Sequence, residues 1–307
     1  MSLAHRVLPE QRRPMLRHLL AAGHGIRVIE AHSGLSALIG SETCLASGEA
    51  LQFDALWVSS LTSSAVQGLP DIGLYLLERR IALIEDICQV SSKPIIVDGD
   101  TGGDAANLRY LVARLEAMGV SALVIEDKLS PKRNSLCSQS SHLLEDPRRF
   151  AQKISDAQTA RLTSDFMVFA RIESLIAGET VEDALARARS YVEAGASGLM
   201  IHSKDQTPRR VIEFLHRFRA HGFEHPVICV PTTYNNLSAR QLFVHGASIV
   251  VYANHLLRAA HFAMCEVCKE LLRKDKAAEV EKCCTSVDEL LRLVGYEALV
   301  AQPRSQP

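Results

Sequence analysis

Aromatic residues are scarce, 5% of the 307-residue chain, so a core must be built mainly from aliphatic side chains. Neither sign of charge dominates: 34 Lys and Arg stand against 35 Asp and Glu. That balance argues against a polyanion-binding surface and hence against a nucleic-acid partner. Long apolar runs are also missing at the amino end, "MSLAHRVLPEQRRPMLRHLLAAGHG", which holds no stretch suited to a signal or a membrane span. Its Arg pair is not followed by the apolar segment of an export signal, and a cytoplasmic protein without membrane partners is expected. No Gly-x-Gly-x-x-Gly loop follows the first apolar run, which removes the usual dinucleotide fingerprint. The eight cysteines are scattered. Cys265-x-x-Cys268 and the Cys283–Cys284 pair fall in or beside "HLLRAAHFAMCEVCKELLRK", which reads as one continuous helix rather than a zinc knuckle.

What is present is an alternation. Short apolar or β-branched runs are each followed by a segment of helical period. "IRVIEA" precedes "GLSALIGSETCLASG", "FDALWVSS" precedes "IGLYLLERRIALIEDICQ", and "PIIVDGD" precedes "DAANLRYLVARLEAMG". "SALVIED", "FMVFARIES", "SGLMIHS", "PVICVPT" and "ASIVVYANH" continue the series, the last leading into a long terminal helix. Asp146 before Pro147, Thr180 and Ser286 are expected N-caps, Ser286 with Glu289 at capping-box spacing. Gly119 and Gly195 fall where left-handed C-caps are expected. Runs such as "PIIV", "ALVI" and "VICV" are apolar on both faces, as parallel strands covered by helices are. Eight such units predict a closed (β/α)8 barrel over residues 1–307, with helical extensions at about 1–24 and about 274–307.

Active sites of such barrels lie where strands end. The strand-end polar residues are Glu30 and His32; Ser59 and Ser60; Asp98 and Asp100; Glu126, Asp127 and Lys128; Arg171 and Glu173; His202 and Ser203; Thr232 and Thr233; Asn254 and His255. Asp98 and Asp100 are two residues apart, on one side of an extended segment, and Glu126 ends the next strand. Three carboxylates crowded at one mouth repel unless a cation sits among them, and hard oxygen donors suit Mg2+. Each acid alone reads rather as a loop cap or a partner of Lys or Arg; only the trio points to a metal. Arg171 and His202, across the mouth, suit an anionic substrate or a structural ion pair.

The motifs "EAHSGLSA", "DGDTG", "EDKLSPKRNS", "ARIESLIAG", "IHSK" and "YANHLLRA" occur in this order between about Ile29 and His261. Together they resemble the phosphoenolpyruvate mutase branch of the isocitrate lyase/PEP mutase superfamily. "EDKLSPKRNS" matches that branch's Glu-Asp-Lys, five residues, Asn-Ser signature, and lacks the catalytic cysteine loop of the lyase branches. The resemblance implies that Asp98 binds Mg2+ while Asp100 and Glu126 order its water shell. It implies that "WVSSLTSS", through Trp57, Ser59 and the backbone N–H groups of Ser60 and Leu61, receives the pyruvate end of phosphoenolpyruvate or phosphonopyruvate. Arg171 and His202 would grip the phosphoryl group. A gating loop would bring up Lys132, Asn134 and Ser135, and Asp71 falls at the position of an active-site acid. The implied reaction moves a phosphoryl group between enol oxygen and methylene carbon. Phosphonopyruvate hydrolases, related enzymes with Thr at the position of Asn134, are the alternative, and a non-catalytic ligand-binding barrel is a third.

Four features depart from the branch pattern. Ser60 and Val58 stand where glycines are usual, Gly103 and Asp104 follow "DTG" directly, Arg133 replaces a small polar residue, and Ser33 replaces Asn. The terminal helix from about Asn254 to Arg273 carries Leu257, Ala260, Met264, Val267 and Leu271 on one face. By the same resemblance it is expected to swap onto a neighbouring barrel, giving homodimers or homotetramers, with "SVDELLRLVG" as a further helix.

Overall fold

Eight strands form the frame of the computed structural model, which describes residues 7–46, 51–137 and 141–300. They are β1 (Ile26–Glu30), β2 (Ala55–Val58), β3 (Ile95–Asp98), β4 (Ala122–Glu126), β5 (Met167–Ile172), β6 (Gly198–Ile201), β7 (Val227–Cys229) and β8 (Ile249–Tyr252). All neighbouring pairs are parallel. β1 closes the ring by pairing with β2, Val28 opposite Ala55, and with β8, Ile26 opposite Ile249. The barrel expected from the alternation is the fold.

Side chains of a strand alternate between its faces, and here each face meets a different core. Ile26, Val28, Trp57, Ile96, Val124, Phe169, Met200 and Ile228 fill the barrel interior. Ile29, Leu56, Val97, Leu123, Ile125, Val168 and Leu199 face the helices. Both sets are buried, which is why the strands read as unbroken apolar runs. Leu16, on the N-terminal helix Met15–Ala21, joins the interior cluster together with the strand-starting Ile26, Ala122 and Met167. The amino-terminal extension thus plugs the end of the barrel away from the strand tips. Arg12 fastens it by donating from Nη2 to the carbonyls of Cys88 and Ser91, at 2.6 and 2.7 Å, where helix Leu77–Val90 ends.

The boundary residues behave as their chemistry requires. Asp146 accepts from the amides of Arg148 and Arg149 at 3.0 and 3.2 Å, opening helix Pro147–Ala160. Thr180 forms a capping box with Asp183, and Ser286 accepts from the Glu289 amide at 3.2 Å. Gly119 and Gly195 are left-handed, φ +79° and +94°. At Gly119 a Cβ would also lie 2.4 Å from Pro9 Cα, so the turn and the docking of the N-terminal extension both require glycine.

Two predicted helices are shorter than their sequences suggested. "IGLYLLERRIALIEDICQ" is helical only over its later part, in Leu77–Val90. "GLSALIGSETCLASG" is helical over Gly34–Glu42, after which Cys44–Leu45 pairs antiparallel with Leu51–Gln52. Thr43 turns to extended backbone and donates its hydroxyl to the Ile39 carbonyl at 2.6 Å, ending the helix. The terminal helix, by contrast, runs unbroken over His255–Lys274 through Cys265 and Cys268. It buries none of its side chains fully, and Phe262 and Leu272 are 69% and 86% exposed. Helices Val287–Leu293 and Tyr296–Val300 follow. No helix among the described residues is long and apolar enough to cross a membrane.

Candidate active site

The inward-facing rows of the barrel change character at the strand tips. Ile96 is followed two residues on by Asp98, Val124 by Glu126, Phe169 by Arg171 and Met200 by His202. The same period that packs apolar side chains in the interior therefore delivers polar ones to its C-terminal mouth. There they line one small cavity, about 60 Å³, together with Trp57, Ser59, Ser60, Leu61 and Asp71. Lys132, Asn134 and Ser135 from the loop after β4 also line it. Every residue given a role by the family resemblance except Asp100 lines this cavity.

The loop after β4 is closed over the mouth. Lys132 Nζ contacts Oδ1 of Asp71 and Oδ1 of Asp100. Asn134 Nδ2 donates to Asp71 Oδ2 at 2.7 Å. Ser135 Oγ receives Lys128 Nζ at 2.6 Å and Arg171 Nη2 at 2.9 Å, and donates to Glu173 Oε2 at 2.6 Å. The Ser130–Pro131 peptide in this loop is cis.

Glu173 is the hub of the cationic side. Fully buried, it accepts from Arg171 Nε at 2.6 Å, lies 2.8 Å from His202 Nδ1, and has Lys128 Nζ 3.4 Å from its other oxygen. Burial by itself would raise its carboxyl, but Arg171 and His202 hold it well below the usual carboxylate range. Burial would lower the mostly buried Arg171 guanidinium, but Glu173, Glu126 and Asp98 keep it firmly charged. His202 moves the other way: burial, reinforced by the Arg171 charge, lowers it from its ordinary 6.5. Its Nδ1 is also 2.9 Å from Arg171 Nη2. A neutral ring either donates from Nδ1 to Glu173 or accepts there from Arg171, and protonation favours the first.

On the acidic side, Asp98 Oδ2 accepts from the Ser60 hydroxyl at 2.8 Å and lies 3.3 Å from the Ser60 amide, while Oδ1 is 3.7 Å from Arg171 Nη1. The Ser60 N–H, expected to face substrate, thus faces Asp98. Asp100 adopts a left-handed φ of 54°, a conformation Asp tolerates. Its carboxylate turns to Arg80, Nη1 to Oδ2 at 2.9 Å, and to Lys132. Burial would raise the Asp100 carboxyl, but these two cations hold it well below its ordinary value. Glu126 is pushed up to about 8 by burial and by neighbouring Glu173 and Asp100, against Arg171 and Lys128. Its Oε1 has no hydrogen-bond partner among the described residues, although Lys128 Nζ stands 3.4 Å away. Trp57 Nε1, on another residue lining the cavity, is likewise buried and unpartnered. Among the described residues no three His, Cys, Asp or Glu side chains converge tightly enough to enclose a metal ion. Carboxylate oxygens with one unpartnered acceptor fit a hard cation held largely through water.

Three residues of the network carried no assigned role in the sequence. Glu173 and Lys128 stood among the strand-end polar groups. Arg80 stood in mid-helix, where it shares the buried face of Ile84 and Ile87 at helical spacing. A charge on an apolar face was the available signal; Arg80 Nη2 there contacts the Asp98 carbonyl. The branch departures are absorbed locally. Ser33 caps helix Gly34–Glu42, Asp104 caps helix Ala105–Ala117, and Arg133 is exposed. Glu30 lies outside the cavity: its Oε1 accepts from the Leu257 amide at 2.7 Å and fixes the start of the terminal helix.

A parallel barrel with an acidic cluster opposite an Arg–His–Glu cluster, under a closed loop, has the charges and reach to hold a small anion. The sequence profile of the family described as phosphoenolpyruvate phosphomutase matches residues 16–272, and the chain belongs to that family. It is 34% identical to a phosphoenolpyruvate phosphomutase of Tetrahymena pyriformis, over 89% of this chain and 87% of that protein. It is equally, 34%, identical to a phosphonopyruvate hydrolase of Variovorax, over 93% and 96%. A solved phosphoenolpyruvate phosphomutase from Streptomyces platensis subsp. rosaceus superposes with a TM-score of 0.87 at 35% identity, covering 95% of this chain and 97% of that one. A phosphonopyruvate hydrolase solved with oxalate and Mg2+ gives 0.84 at 33% identity, over 96% and 98%.

Proposed function

We propose that this chain is a phosphoenolpyruvate mutase, an isomerase that interconverts phosphoenolpyruvate and phosphonopyruvate for phosphonate biosynthesis. In the forward direction the bond from phosphorus to enol oxygen breaks and a bond from phosphorus to the methylene carbon forms, with no atom gained or lost. The observation that carries this reading is the closed loop: Lys132 and Asn134 both grip Asp71 above a cavity bounded by Arg171 and His202. Transfer to carbon succeeds where water is kept from the phosphoryl group, and a shut cavity does that.

The roles follow from charge and reach. Arg171 and His202 hold phosphoryl oxygens, with Asn134 contributing an amide that binds an oxygen without activating water. Lys132 adds positive charge, and Ser135 locks Arg171 to the closed loop. Trp57, Ser59, Ser60 and Leu61 receive the pyruvate end, where the backbone amide of Leu61 stabilises enolate charge while that of Ser60 is turned to Asp98. Asp98 would ligate Mg2+, with Asp100 and Glu126 ordering its water. The ion would supply positive charge to the pyruvate enolate.

We further propose that the chain acts in the cytoplasm as one barrel domain with helical extensions, assembled as a homodimer or homotetramer. The exposed face of His255–Lys274 supports the swap of this helix onto a neighbouring barrel. Sedimentation at micromolar concentration tests the assembly, and a single monomeric species would contradict it.

The chemistry is tested by phosphorus NMR of the purified protein with phosphonopyruvate and Mg2+. Phosphoenolpyruvate is the expected product. Inorganic phosphate would make the protein a hydrolase, and no turnover would support a binding barrel or a different substrate.

A further inference from the structure

Asp127 sits beside Glu126 in sequence but points the opposite way, out of the barrel and under helix Val181–Glu193. There its Oδ2 accepts from the Tyr191 hydroxyl at 2.6 Å and from Arg187 Nη1 at 3.1 Å. Arg187 Nη1 also lies 3.0 Å from the Tyr191 oxygen and 3.0 Å from the Glu145 carbonyl. Asp127, Arg187 and Tyr191 are all buried. The other oxygen of Asp127 faces the site: Oδ1 accepts from the backbone N–H of Glu173 at 2.8 Å. Glu173 has φ −104° and ψ 8°, the sparsely populated bridge region, at the point where β5 gives way to helix Ser174–Ala177. That backbone turn carries the carboxylate that meets Arg171, His202 and Ser135.

We propose that Tyr191 and Arg187, acting through Asp127, are positioning residues that fix Glu173 and through it aim Arg171 and His202 at the phosphoryl end of the substrate. The inference rests on the reading of Arg171 and His202 as the phosphoryl clamp. Three considerations carry it. A buried carboxylate with charged and hydroxyl donors on one oxygen has a fixed orientation. Its second oxygen spends that orientation on the one backbone amide whose placement sets the hub. Among the described residues no side-chain hydrogen bond of Asp127, Arg187 or Tyr191 reaches the cavity. Besides Glu173, Asp127 meets the site through its backbone N–H, which donates to the Arg171 carbonyl at 3.1 Å and leaves the aim of the Arg171 side chain to Glu173.

The network therefore acts on one end of the substrate site. Tyr191→Phe removes the hydroxyl while its ring keeps its edge contact with Phe150, centroids 4.8 Å apart. Methylphosphonate serves as a probe of the phosphoryl end and oxalate with Mg2+ as a probe of the pyruvate end, both titrated calorimetrically into the full-length protein. In Tyr191→Phe methylphosphonate affinity and kcat should each fall about tenfold, the scale of loss when an outer hydrogen-bond partner of a site is removed. Oxalate affinity should stay within twofold. Asp127→Asn, which keeps an oxygen for the Glu173 amide but sets an amide donor against Arg187 Nη1, should lose at least as much methylphosphonate affinity as Tyr191→Phe. A purely structural role would lower the melting temperature and move both probes together, or neither, and either result would overturn the inference. Arg171→Lys separates the two readings. If methylphosphonate binding ignores Arg171→Lys, the clamp reading fails and this one with it. If binding depends on Arg171 and not on Tyr191, the positioning inference alone fails.

Discussion

Asn134 and Asp71 are joined across the barrel mouth by a 2.7 Å hydrogen bond from Nδ2 to Oδ2, although 63 residues separate them in the chain. The bond ties the loop after β4 to the segment between helices Ser60–Ala65 and Leu77–Val90. Lys132 contacts the same carboxylate, so Asp71 is the catch on which the loop closes.

Replacing Asn134 with Ala should therefore lower mutase turnover by about a hundredfold, the scale of loss from a misplaced reacting geometry, with KM much less affected. On the proposed reading Arg171 and His202 still hold the ground-state substrate. The loop should become more sensitive to limited proteolysis, and ligand should protect it less than in wild type. Unchanged turnover together with unchanged protection would return the segment to an ordinary surface loop. Asn134→Thr should release some inorganic phosphate, read in the same product assay.

Asp98→Ala removes a strand-tip carboxylate and no apolar packing. Activity should disappear, and with it the rise in melting temperature expected of the wild type in saturating Mg2+ if the ion binds the folded state. The melting temperature without Mg2+ should change little. Near-wild-type turnover of phosphonopyruvate would remove Asp98 from the metal site.

For His202 the pH dependence has a definite sign. Burial and Arg171 lower it below 6.5 in the folded protein, so below 6.5 the unfolded chain binds a proton that the folded one resists. Its contribution to stability is present above 6.5 and is lost as pH falls from 6.5 through the folded value. Urea unfolding of wild type and His202→Gln at a series of pH values isolates the effect: the advantage of wild type should shrink on the acid side. Parallel pH curves for the two proteins would show that His202 is not held neutral.

Arg80→Ala should unfold at lower urea, with a loss of about 2 kcal/mol, because it takes a charged hydrogen bond from the mostly buried Asp100 carboxylate and leaves Lys132 as its remaining cation. Arg80 also contacts the Asp98 carbonyl. Mg2+ affinity should fall in parallel as the turn from Asp98 to Asp100 loosens. A stability change under 0.5 kcal/mol would be the size expected of a surface substitution and would count against this role.

Much of this protein was determined by its sequence. Runs apolar on both faces, such as Ile95–Val97 and Ala122–Ile125, suit a parallel sheet covered by helices, and eight of them close a barrel. Asp146, Thr180, Ser286, Gly119 and Gly195 mark helix ends because capping is local chemistry, settled within a few residues. Asp98, Glu126, Arg171 and His202 reach one mouth because strand period and strand ends are also local properties. Tertiary structure decided which of these groups meet. Glu173 became the hub, Asp100 turned to Arg80 and Lys132, and the Ser60 N–H turned to Asp98, because such choices depend on distances between segments far apart in the chain. The hydrogen bond of Leu257 to Glu30 spans 227 residues, and no periodicity encodes it. The direction in which Glu126 and His202 titrate likewise depends on burial and on charges brought near by folding. The physical reason is one of range: propensity, capping and alternation act over a few residues, whereas desolvation and Coulomb interactions act through space.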